Sequence, residues 1–77
     1  MSMKLNNEFF RKLGVAMMEE APKIKDDETC NSFARVGELI THLGTAFNPP
    51  NISKVSEEDR KVVVKAWHYF QKKGINI

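Results

Sequence analysis

Residues 31–47, NSFARVGELITHLGTAF, carry two low-polarity stripes at helical spacing. Phe33, Val36, Ile40, Leu43 and Phe47 recur at steps of three and four, the period that lines large side chains along one face of a helix. Beside them runs a stripe of small residues, Ala34, Gly37, Thr41 and Gly44, and only Asn31, Arg35, Glu38, His42 and Thr45 remain as a narrow polar edge. A helix buried around so much of its girth has to lie between two neighbours, one on each stripe. Each interior glycine costs roughly 1 kcal/mol relative to alanine, and the close approach of another helix backbone would recover that cost. A hinge is the alternative explanation of the glycines; close packing is the one preferred here.

The flanking segments supply those neighbours. A first helix is predicted from Asn6 to Glu20, capped by Asn6, with Leu5 and Phe10 placed for a hydrophobic staple. Phe9, Phe10, Leu13, Ala16 and Met17 share one face, leaving Glu8, Arg11, Lys12 and Glu19 outside, and Ala21-Pro22 should end the helix. Asp26 or Asp27 is placed to cap the central helix, which should reach about Ala46. A third helix starts at Ser56, where SEED has the form of a capping box and three acids face the positive helix end. Lys72 and Lys73 close it and Gly74 supplies a left-handed cap that folds Ile75 back against the helix. The proline loop FNPPNISKV joins the last two helices, with Ile52 and Val55 tucked onto the core and room for a short extra helical turn near Ile52–Val55. The expected fold is all-α: residues 1–77 as one domain of three main helices packed around the second.

A chain of 77 residues with a single cysteine, Cys30, has no internal disulfide and no multi-cysteine metal site. It must rely on packed helices, a metal or a partner for stability. No apolar run approaches the roughly 20 residues that span a bilayer, and MSMKLNNEFF lacks the apolar stretch of a secretory signal. The expected location is cytoplasmic. Net charge is only +2, distributed as +2, −3 and +3 over residues 1–25, 26–50 and 51–77. An acidic middle between basic ends suits attraction within a bundle as well as it suits a ligand.

Lys61, Lys65, His68 and Lys72 fall in a narrow band of the third helix, with Trp67 and Tyr69 interleaved. Trp67 points into the core, while Tyr69 lies at the border of the buried arc. Lysines on the one face left to water explain the band without any ligand. The sharper alternative is a phosphate-tracking stripe of Lys54, Lys61, Lys65, His68, Tyr69 and Lys72. A helix-turn-helix reader is not supported, because a nine-residue loop replaces its short turn. The segment VSEEDRKVVVKAWHYF resembles the opening helix of a globin in its acidic capped start and its VKAW, a likeness of sixteen residues with seven following. It reads as convergence on a capped amphipathic helix, and nothing of the globins is carried over.

Chemistry is sparse. Cys30 lies in the first turn of the central helix among Asp26, Asp27 and Glu28, which oppose a thiolate, and it continues a packing face. Glu38 and His42 are spaced to pair across one turn, with no further metal ligands at hand. Phosphate-binding glycine loops, zinc-finger spacings, calcium loops and a nucleophile elbow are absent. No cofactor, metal or catalysis is implied. On the first helix, Val15 and Met18 project from the charged side beside Glu8 and Arg11. This is the pattern of an apolar anchor rimmed by charge. The expectation is therefore a non-catalytic adaptor, inhibitor or regulatory protein that docks on a protein partner, or on a second copy of itself, through Glu8, Arg11, Val15 and Met18. Nucleic-acid binding through the lysine stripe is the alternative, and an enzyme using Cys30 or a carboxylate site assembled by folding is a third, weaker option.

Overall fold

A computed structural model of the chain describes residues 6–45, 55–75 and 77. Among these residues there are three α-helices and one 3-10 turn: α1 (Asn7–Glu20), the turn (Ala21–Lys23), α2 (Asp27–Thr45) and α3 (Glu57–Lys72). The bundle is all-α and arranged around α2, as the two stripes predict. Among the described residues no helix is long and apolar enough to cross a membrane.

Each helix starts on a side-chain cap that satisfies an otherwise orphaned N–H. The Asn6 side chain accepts from the Phe9 N–H at 2.8 Å. Asp26 accepts from the Thr29 N–H at 2.9 Å and from its hydroxyl at 2.6 Å. Ser56 accepts from the Asp59 N–H at 3.2 Å. The serine half of the expected capping box is formed, and the Asp59 carboxylate, hydrogen-bonded with Ser56, is engaged above all by Arg35 on α2. Gly74 is left-handed at φ +74°. Its N–H donates to the Gln71 carbonyl at 3.1 Å, and the Ile75 N–H donates to the Phe70 carbonyl at 2.9 Å, the bond pair of a Schellman closure.

α1 ends at Glu20, as Ala21-Pro22 predicts, but not because the residue before proline leaves helical geometry. Ala21 keeps helical angles, φ −48° and ψ −48°, and the chain tightens into the 3-10 turn with Pro22 in its first positions. Proline is tolerated there because its missing N–H has no bond to make. A 3-10 turn thus follows α1; the extra turn expected near Ile52–Val55 falls largely outside the described residues, as do Leu5, Ala46 and Phe47. Val55 is buried, as its place in the loop predicts.

One buried cluster joins Phe9, Phe10, Leu13 and Met17 of α1, Phe33, Val36 and Ile40 of α2, and Val63, Ala66 and Phe70 of α3. Phe33 meets Tyr69 edge-on at 5.6 Å between ring centres and Phe70 at 6.3 Å. The large stripe of α2 therefore faces α3 through a layer of rings.

The small stripe faces α1 with almost nothing in between. A Cβ added to Gly14 would sit 2.6 Å from the Gly37 carbonyl oxygen, and one added to Gly37 would sit 2.9 Å from that of Gly14. At Gly44 an added Cβ would lie 2.7 Å from both the Arg11 nitrogen and the Asn7 carbonyl oxygen. Close packing, not hinging, accounts for these glycines. Ala34 departs from the predicted stripe: it is exposed, and the contact begins at Gly37. Gly14→Ala should improve helix propensity yet destabilise the protein by about 1–3 kcal/mol, the usual cost of overpacking. Urea unfolding of the variant tests this, and a gain in stability would rule out the close helix crossing.

Candidate functional site

Among the described residues, the ion pairs between residues distant in the sequence lie at the two ends of α3. At its first turn, Asp59 accepts from Arg35 Nη1 at 3.1 Å and from Nη2 at 2.8 Å. Hydrogen bonding from the guanidinium holds the Asp59 carboxyl below its ordinary value and raises the pKa of Arg35. At the last turn, Glu20 Oε2 accepts from the Tyr69 hydroxyl at 2.8 Å and from Lys73 Nζ at 2.7 Å. Lys23 Nζ stands 3.8 Å from Oε1. The Glu20 side chain is only 8% exposed, and it stands at the negative end of α1, where a carboxylate is unfavourable. Lys73 first, and then Tyr69, hold its pKa below the ordinary value, and Lys73 is raised in return. Structural ion pairs perturb pKa values just as catalytic sites do. Here every partner lies within the fold, so both carboxylates act as fasteners for α3.

The surface expected on α1 is rearranged. Glu8 pairs with Lys12 at 2.9 Å across one turn, and Lys12 keeps the Glu8 carboxyl below its ordinary value. Met18 is half-buried and leans toward α2, where its Cγ would meet a Cβ on Gly37 at 3.1 Å. Val15 stays 42% exposed. It lines an open groove of about 420 Å³ with Arg11, Lys12, Ala16 and Glu19 of α1 and with Ile75 and Ile77. Ile75 corrects its expectation: its backbone closes the helix end, but its side chain is 40% exposed over this groove. Ile77 is the residue that packs on the core. Arg11 and Val15 are thus brought together, Glu8 and Met18 are drawn elsewhere, and Glu19, Ile75 and Ile77 join the face. The left-handed turn readable at Gly74 was the available signal that the chain would come back over α1.

On the lysine stripe, Lys61, His68 and Lys72 are exposed, and neither Lys61 nor Lys72 is in an ion pair among the described residues. Lys65 Nζ lies 3.5 Å from the Thr29 hydroxyl, beside a second recess of about 260 Å³ between α2 and α3. Tyr69 is half-buried, with its hydroxyl held by Glu20 and Lys73 Nζ 5.0 Å above its ring. Trp67 is half-buried against the core, and Lys54 lies outside the described residues. Cys30 packs at the edge of the core. His42 stands 3.9 Å from Glu38 with both side chains exposed. Among the described residues no group of three or more His, Cys, Asp or Glu side chains is arranged to hold a metal.

Comparison with protein-family models, curated proteins and solved structures finds no match for this chain.

A carboxyl whose folded pKa is depressed contributes stability that is full above its unfolded pKa and lost as pH falls through the folded one. For Glu20 and Asp59 the loss begins as pH drops through their ordinary values of 4.5 and 3.8. Glu20→Ala should cost about 1–3 kcal/mol at neutral pH by stranding the Tyr69 hydroxyl and freeing Lys73. The difference from the parent should shrink as pH falls below 4.5. Denaturation curves of both proteins between neutral and acid pH check this; a pH-independent gap would remove the carboxylate charge as the cause.

Proposed function

We propose that this protein is a non-catalytic helical adaptor, inhibitor or regulatory protein that works by docking the α1 face on another protein surface. One observation carries the reading: Val15 and Ile75, near opposite ends of the chain, lie exposed on one groove framed by Arg11, Lys12 and Glu19. Apolar centres with charged rims are the usual anatomy of small docking sites. The internal saturation of Glu20 and Asp59 also favours binding over catalysis, since neither carboxylate is left to act on a substrate. Paired replacement of Val15 and Ile75 by lysine should weaken affinity for a purified partner at least about tenfold, as expected for losing anchor residues. Fold stability should be nearly unchanged. A partner bound equally well by the doubly substituted chain would defeat the reading.

A second reading, nucleic-acid binding along α3, draws support from the exposed lysines Lys61, Lys65 and Lys72, none of which is in an ion pair among the described residues. It is weakened by the engagement of Tyr69 with Glu20, which keeps that ring from a base. Fluorescence anisotropy of labelled single- and double-stranded oligonucleotides should show no binding even at low salt. Micromolar binding that falls steeply with salt would favour this reading instead.

A further inference from the structure

Resting on the α1 face as a binding surface, a narrower inference concerns what occupies it. Val15 is flanked four residues before by Arg11 and four residues after by Glu19, and both charges are exposed. Neither is in an ion pair or side-chain hydrogen bond among the described residues, in contrast to Glu8 and Lys12 beside them, which satisfy each other. Residues four apart lie on the same helix face, so α1 presents the order positive, apolar, negative along one line. Rotating that line by 180° about Val15 exchanges its signs. The patch is therefore complementary to itself.

We infer that a second copy of this chain occupies the groove, with the two α1 helices antiparallel about a two-fold axis at Val15. In such an isologous contact residue i meets residue j and j meets i, and only a residue on the axis meets its own symmetry mate. Val15 meets Val15 of the second copy, and Arg11 meets Glu19 twice, once on each side. Ile75 widens the apolar centre from the neighbouring wall. Among the described residues, Val64 and Leu39 are also exposed and lack this property. Val64 on α3 is flanked at the same spacing by Arg60 and His68, so a two-fold there would oppose a positive charge to a second basic group. Leu39 on α2 is preceded by Arg35, already committed to Asp59, and followed by Leu43. With one valine and one isoleucine as its exposed anchors the contact is small, and the dimer is weak and reversible.

Sedimentation equilibrium at low salt, from about 10 µM to about 1 mM, covers the range in which such an interface titrates. The apparent mass should rise from one chain toward two. Arg11→Glu alone and Glu19→Arg alone should each weaken association about tenfold, since each turns two attractive pairs into two repulsive ones. Both sites are exposed, and helical circular dichroism confirms that the variants fold. An equimolar mixture of the two single variants, or the doubly exchanged chain, should recover the parent's association. A parent that stays monomeric throughout, single exchanges without effect, or a mixture that fails to recover would each overturn the two-fold. If the parent is monomeric yet binds a different protein in a manner lost on changing Val15 and Ile75, the docking face stands and only the second copy is wrong.

Discussion

The contact between Gly14 and Gly37 sets the geometry on which the remaining packing depends. At this crossing both helix backbones lack a side chain, and Gly44 extends the approach along α2 to the backbone of Asn7 and Arg11 in the first turns of α1. Thr41 adds to it: its hydroxyl donates to the Gly37 carbonyl at 2.7 Å, so the polar atom closest to the crossing is satisfied within its own helix. Once α1 and α2 are seated backbone to backbone, Phe10, Leu13 and Met17 are committed to the same side as Phe33, Val36 and Ile40. A single apolar trough results, and α3 covers it.

The third helix is held by different physics. It does not approach α2 as closely as α1 does, because phenylalanine and tyrosine rings fill the gap. Its alignment comes from polar fasteners at its two ends. Asp59 is drawn to Arg35 at the positive end of the helix, and Tyr69 and Lys73 close on Glu20 at the negative one. Both arrangements respect the helix dipole of α3, and the second relieves an unfavourable charge at the end of α1. A ring layer alone would tolerate sliding; directional bonds at both ends oppose it.

Most of the fold was legible because it rests on local chemistry. Asn6, Asp26, Ser56 and Gly74 announce helix ends through their own side chains or backbone freedom, and the stripes of α2 announce its neighbours. What escaped notice depends on partners distant in the chain. Gly14 looked like an ordinary helix residue until Gly37 stood opposite. Nothing local marks Glu20, and Tyr69 reads only as a border residue, until folding brings them together. Ala21 misled because the rule against helical residues before proline ignores the tighter 3-10 turn. The face on α1 was half legible: Val15 and Arg11 were readable from helical period, whereas Met18 was claimed by α2 and Ile75 and Ile77 arrive through the reversal at Gly74.

That reversal has a consequence for how the face behaves in time. Ile75 reaches the groove through a few hydrogen bonds at a helix terminus, the part of a fold that opens most readily. Opening of the closure at Gly74 would move Ile75 from the groove wall, while Phe70 and Ile77 keep the chain on either side packed on the core. Occupancy of the groove and closure of that turn are therefore thermodynamically linked: whatever binds there also protects the amides of Gly74 and Ile75 from exchange with solvent. The closure at Gly74 thus couples the end of α3 to the groove wall that Ile75 forms.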